Sequence, residues 1–224
     1  MSGSPFRHDS FTEPAQEFHS RDLLSDPTPR VVECHATESS LVLGSVQRFT
    51  AVDGGAVQRH GIDVTRRRSG GGAVLVVPDG IVWFDVVVPA DDHRFSDVSG
   101  DVTRSMRWLG GHLLTALGEL GVDDIDMHDG PMMCTDWCRL ICFAGTATGE
   151  IERGGRKLVG ISQRRSRNGS RFQCAVHTRW APDLMVSLLA PPRPTAAQLP
   201  PVATLDAALA GALPGALVRV LNAL

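Results

Sequence analysis

The sequence predicts an α/β (α+β) fold in which a mixed, largely antiparallel sheet is flanked by helices. Three observations carry that expectation. Short apolar runs of strand length recur between turn residues from position 40 to 176. One long amphipathic helix pattern stands among them at residues 102–120. The strands do not alternate regularly with helices, as a doubly wound sheet would require. With 224 residues, 42% hydrophobic and 21% charged, the chain has the material for one substantial core.

Residues 1–30, rich in Ser, Pro, Asp and His, read as a flexible N-terminal arm. Residues 31–190 hold the predicted domain, and residues 191–224 a proline-rich linker and a short helical tail. Inside the domain, residues 40–46 read as a strand whose apolar run ends at Gly44, and residues 61–65 alternate as a second strand. Runs at 73–77 and 81–88 flank Pro78-Asp79-Gly80, whose corner residues predict a hairpin. Val102, Met106, Leu109, Leu113, Leu117 and Leu120 recur at helical steps, and Gly121 ends the pattern. Residues 137–143 and 157–161 read as strands, and Asn168-Gly169 predicts a hairpin into 172–176. In the tail, Pro214 is expected to split two short helices.

Charge and cysteine content exclude several classes. Lys+Arg numbers 22 against 25 Asp+Glu, a net charge of −3, which argues against a general nucleic-acid or membrane-surface binder. No apolar run approaches the roughly 18–20 residues of a spanning helix. Five cysteines, an odd number, and an opening stretch without a leader pattern give a reduced, cytoplasmic protein with free thiols as the expectation.

Three features could carry chemistry. Gly70-Gly71-Gly72 lies between strands directly after Arg66-Arg67-Arg68-Ser69. Bare backbone N–H groups there could converge on an anion, with guanidinium forks beside them, or the loop could be a plain flexible turn with a solvated basic patch. Lys157 is the single lysine among the 22 basic residues. Its compact ammonium can polarise one carbonyl oxygen, unless it is a surface lysine at a turn. Cys134, Cys138 and Cys142 are spaced by four, but zinc asks for other spacings and a fourth ligand, so burial is the expected fate and no metal is predicted.

In order, these residues resemble the superfamily of lipoate–protein ligase, octanoyltransferase and biotin ligase catalytic domains. Leu41-Val42-Leu43-Gly44-Ser45-Val46-Gln47 resembles its early strand, and Arg66-Arg67-Arg68-Ser69-Gly70-Gly71-Gly72-Ala73-Val74 its glycine loop. Gly155-Arg156-Lys157-Leu158-Val159-Gly160-Ile161-Ser162-Gln163 resembles the lysine strand. Cys142-Phe143, fifteen residues before Lys157, resembles the Cys-Phe of cysteine-dependent octanoyltransferases. The matched span runs from Leu41 to about Val176.

The resemblance implies a single biotin/lipoate-ligase-like catalytic domain. It implies an enzyme that moves an octanoyl or lipoyl group onto a lysine of a carrier, and sites follow from it. Lys157 would hold the acyl carbonyl and Cys142 would act as nucleophile. Arg66, Arg67, Ser69, Gly70, Gly71, Gly72, Ala73, Gly160 and Gln163 would form the substrate pocket. Implied partners are acyl carrier protein, lipoyl domains and a glycine-cleavage H-type protein, with no nucleic acid and no membrane.

Two chemistries stay open. A transferase would take the acyl group from a carrier thioester onto Cys142, whose thiolate Lys157 and the arginines would favour, and would need no cofactor. A ligase would activate a free acid with ATP and magnesium through an acyl-adenylate. Gly70-Gly71-Gly72 is ligase-like, whereas Cys142 and the short tail after the linker, with no accessory domain expected, favour the transferase. A non-catalytic module binding acyl groups or an acidic carrier is the third reading. The sequence departs from the family where Trp83 replaces a usual Asn and where Gln173-Cys174-Ala175 replaces a His-Gly, which makes Cys174 a second thiol candidate.

Overall fold

The computed structural model describes residues 4–25 and 27–224. In chain order its elements are β1 (Arg7–Glu13), α1 (Ala15–Ser20), β2 (Arg30–Ala36), β3 (Ser40–Leu43), α2 (Gly54–His60) and β4 (Asp63–Arg66). Then come β5 (Val74–Val76), β6 (Ile81–Pro89), α3 (Val102–Glu119), β7 (Ile125–Met127), β8 (Met133–Cys134) and β9 (Gly145–Thr146). The last are β10 (Ile151–Arg153), β11 (Arg156–Arg165), β12 (Gly169–His177), α4 (Pro182–Ser187) and α5 (Ala207–Asn222). The architecture is the mixed α/β arrangement that the pattern predicts. A seven-stranded sheet runs β1-β2-β6-β12-β11-β10-β7, antiparallel except for the β1–β2 pair. A three-stranded sheet runs β4-β3-β5, and β8 pairs with β9 alone.

Alternation along the central strands sorts the core into two faces. Phe84, Val86 and Val88 of β6, with Phe172, Cys174 and Val176 of β12, pack under Leu109, Leu113 and Leu117 of α3 and Leu213, Leu217 and Leu221 of α5. Trp83, Val87 and Ala175 face the other way, onto Val42, Val74 and Val76 of the small sheet and Phe18 of α1. Asp101 caps α3 by accepting from Arg104 N at 2.9 Å. The β11–β12 hairpin forms as expected, with Gly169 lying against β6, where a methyl would overlap the Val88 carbonyl.

Several expectations are corrected. Residues 7–20, read as part of a mobile arm, form β1 and α1, while residues 1–3 and 26 lie outside the described residues. Phe6, Phe18, Leu23 and Leu24 are all buried, but polar neighbours dilute them below a visible period. A buried ion pair fastens this segment to the sheet. Arg171 Nε pairs with Asp85, and the same guanidinium donates to Arg21 O at 2.8 Å and to Phe18 O at 3.3 Å. Burial pushes the Asp85 carboxyl up, against the pull of Arg171.

Pro78-Asp79-Gly80 does turn the chain, with Asp79 at φ 57° and Gly80 N donating to Val77 O. It joins strands of two different sheets, so no hairpin forms. Residues 137–143 are not a strand; Leu140 N and Ile141 N both donate to Trp137 O, and Cys142–Ala144 is a short 3-10 turn. Pro214 lies inside one continuous helix, α5. Its missing N–H costs about 3 kcal/mol, and burying Leu213, Leu217 and Leu221 offsets that at roughly 1.5–3 kcal/mol each.

Two buried imidazoles make the fold sensitive to acid. Burial, helped by Arg171 and Arg67, brings His19 down to about 3, and burial brings His177 down to about 4. Between those values and the ordinary 6.5, the unfolded chain binds more protons than the folded one, so stability rises with pH and is lost as pH falls. Urea unfolding at about pH 4.5 should show a chain less stable than at about pH 7 by on the order of 2 kcal/mol or more. His177→Phe, which also removes an unpartnered buried Nε2, should shrink that difference. An unchanged pH dependence in this variant would contradict the assignment.

Candidate active site

A cavity of about 560 Å³ opens beside β11 and brings Gly70, Gly71, Gly72, Cys142, Lys157 and Gln163 together. Its position follows from an unfinished sheet edge. β10 covers β11 only as far as Val159, so the strand's outer edge is bare from Gly160 onward. The register shifts there, since Ile151 pairs with Val159 but Glu152 with Lys157, leaving Leu158 as an extra residue. A bulge of this kind re-aims side chains. Regular alternation would point Lys157 along with Val159 and Ile161. Instead its Cε lies 3.2 Å from where a methyl on Gly160 would stand, so Lys157 and Gly160 share a face.

Glu150, which the sequence reading missed, completes the bare edge. Its Oε1 accepts from Ile161 N at 2.8 Å, the bond a further strand would have made. Its Oε2 accepts from Ala147 N at 2.7 Å and lies 2.7 Å from Lys157 Nζ. Both side chains of the ion pair are under 5% exposed. The ammonium also donates to Cys142 O at 3.1 Å and Gly145 O at 3.0 Å, so its three protons are all engaged. Burial alone would lower the Lys157 pKa. The charges of Cys142 and Glu150 outweigh it and hold the group above its ordinary value. A single Glu seven residues before the lysine carries no sequence signal of its own.

Cys142 Sγ lies 3.9 Å from Lys157 Nζ. It reaches the glycine loop through Ala73, whose carbonyl accepts Cys142 N at 3.0 Å, next to a parallel bridge between Ala73 and Ile141. Gly71, at φ 93°, occupies backbone space that favours glycine.

Other expected pocket residues do not line the cavity. Arg67 is 1% exposed and works inside the loop. It donates to Gly70 O at 2.6 Å, Gly72 O at 2.8 Å, Val42 O at 3.2 Å and Ser69 Oγ at 3.1 Å. Arg66 is on the surface with its guanidinium over Phe49. Ser69 is buried and bonded to Ser162 and Gln173, and Ala73 is packed in the core. Gly160 lies under Lys157 and Phe143.

Cys174 lies in the helix-side core and is not part of the cavity wall, and burial drives its thiol well up. Cys134 and Cys138 are joined to each other, which corrects the expectation of free thiols throughout. Among the described residues, no group of three or more His, Cys, Asp or Glu could hold a metal ion, and no helix is long and apolar enough to cross a membrane.

The glycine loop, the buried lysine and the thiol thus meet around one slot at the bare edge of a mixed α/β domain. Residues 15–208 match the family model described as the lipoyl protein ligase A/B catalytic domain, and the chain belongs to that family. It is thereby an enzyme of the lipoate ligase and transferase family. Among solved structures, it is similar to the bipartite lipoate protein ligase of Thermoplasma acidophilum studied with its E2 lipoyl domain, at 18% identity and TM-score 0.71, over 98% of this chain and 82% of that one. It is also similar to lipoate-protein ligase A bound with ATP, at 19% identity and TM-score 0.68, over 97% and 84%. The T. acidophilum protein Ta0514 with bound lipoic acid gives 19% and 0.67, over 98% and 84%. No match was found among curated proteins.

The glycine loop offers a position-specific test. A methyl on Gly72 would stand 2.6 Å from Cys142 N, whereas one on Gly70 would meet nothing within 4 Å. Gly72→Ala should therefore cost about 1–3 kcal/mol in thermal unfolding, and Gly70→Ala close to nothing. Equal melting temperatures for the two variants would contradict the placement of Cys142 against the loop.

Proposed function

We propose that the protein is a thioester-using acyltransferase of lipoate metabolism, moving an octanoyl or lipoyl group from a carrier thioester to a lysine of a lipoyl domain by way of Cys142. The observation that carries this reading is Cys142 Sγ at 3.9 Å from the buried Lys157 ammonium, inside a slot of about 560 Å³. Met106 and Ile161 give that slot apolar walls suited to a medium-length acyl tail.

In the first half-reaction the Cys142 thiolate adds to the donor's carbonyl carbon, the carrier thiolate leaves, and the acyl group is held as a Cys142 thioester. In the second, the neutral amine of the acceptor lysine adds to that carbon, the bond to Cys142 breaks, and the proton lost by the nitrogen passes to the departing Cys142 thiolate as the amide forms. Lys157 serves both halves by donating to the oxygen that becomes negative. To do so it exchanges its bond to Gly145 O or Cys142 O for one to the substrate, while Glu150 keeps it charged and in place.

The make-up of the cavity wall supports the transferase reading over one that needs magnesium. Among the described residues Glu150 is the one carboxylate in that wall, and its oxygens bond Lys157, Ala147 N and Ile161 N. The ligase reading rests on the Gly70-Gly71-Gly72 loop and on the ATP bound by a structural relative.

Incubation with an octanoyl-thioester carrier without nucleotide should add one octanoyl mass, mapped by peptide analysis to Cys142. Cys142→Ser should lose it. Absence of any adduct, together with transfer that requires ATP and free octanoate or lipoate, would decide for the ligase.

A further inference from the structure

Cys134 and Cys138 are joined through their sulfur atoms, with Cα atoms 5.4 Å apart, within the span of a disulfide. Their surroundings differ. Cys134 is exposed at the end of β8, while Cys138 is 4% exposed and belongs to the wall of the acyl cavity.

The cross-link sits on the backbone that holds Lys157. Cys134 pairs with Gly145, and Thr135 Oγ1 donates to Ala144 O at 2.6 Å. A methyl on Gly145 would lie 2.9 Å from Cys138 Cβ, and Gly145 O itself accepts from Lys157 Nζ. Residues 131–136 are all exposed, yet Met132, at 56% exposure, is part of the cavity wall. An exposed segment gains little from burial and opens easily, and Met132 lies two residues before Cys134.

We propose that Cys134 and Cys138 form a reversible dithiol–disulfide couple that tunes acyl binding through the 131–136 rim, an inference that rests on the acyl-transfer reading. Cys134, as thiolate, attacks one sulfur of a low-molecular-weight disulfide and releases one small thiolate. Cys138, as thiolate, then attacks the mixed disulfide at the Cys134 sulfur and releases the second. The two protein thiols lose two protons and two electrons, and the small disulfide becomes two thiols. Reduction by a small thiol starts at the accessible Cys134 sulfur and reverses both steps. In the oxidised protein Met132 stays against the acyl chain; in the reduced protein the rim loosens and that wall is lost.

Full-length protein equilibrated with oxidised or with reduced glutathione, then alkylated and mapped by peptide mass, should show Cys134 and Cys138 as the pair that changes. On reduction, hydrogen exchange across residues 131–138 should quicken about tenfold or more. Octanoate affinity by calorimetry should weaken about fivefold or more. Cys134→Ser should bind octanoate as the reduced wild type does under both conditions. Pairing of Cys138 with Cys142, exchange that is equal in both states, or a redox response that survives Cys134→Ser would overturn the proposal. Octanoate binding in neither state would overturn the acyl-transfer reading, and the affinity effect with it, while the exchange rates would still decide the couple.

Discussion

The ion pair between Lys157 and Glu150 is the constraint on which the site depends. Both charges are withdrawn from water, a placement that costs several kcal/mol per ion unless partners satisfy the remaining protons and lone pairs. Here they do. The ammonium gathers the carbonyls of Cys142 and Gly145, and the carboxylate gathers the N–H groups of Ala147 and Ile161. One pair therefore ties together the turn that carries Cys142, the loop after β9, and the uncovered edge of β11. Remove either charge and the other is stranded among groups arranged to meet its opposite.

The cavity exists because the large sheet stops short. Had β10 continued, its backbone would occupy the space beside Gly160 and Ile161, and Glu150 would have no edge to bond. The bulge at Leu158 then turns Lys157 toward that space. On the far wall the glycine loop keeps its shape through Arg67, which spends its guanidinium on loop carbonyls rather than on a ligand. The basic run before the glycines is thus divided, with Arg67 inside as a brace and Arg66 outside on Phe49.

Much of this was legible in the sequence. The helical period of α3, the β11–β12 hairpin and the glycine loop are local patterns, and local patterns survive folding. Lys157 stood out by being the chain's single lysine. What stayed hidden depends on distant partners. β1 and α1 look like a polar arm because the residues that fasten them, Asp85 and Arg171, lie far along the chain. The bulge that aims Lys157 is set by pairing with β10 and leaves no mark in the alternation of β11. Glu150 reads as an ordinary surface charge, and Arg67 as a pocket residue, until the groups they satisfy are in place. Pro214 misled because a proline's local cost is visible in sequence while the burial that offsets it is not.

A double-mutant cycle on folding stability tests the central pair most directly, comparing wild type, Glu150→Gln, Lys157→Met and the double variant by urea unfolding. Each single change leaves one buried charge uncompensated and should cost about 3–5 kcal/mol. The double change removes both charges, so it should cost clearly less than the sum and no more than the worse single variant. Additive losses, or single variants as stable as the wild type, would contradict the view that this buried pair holds the site together.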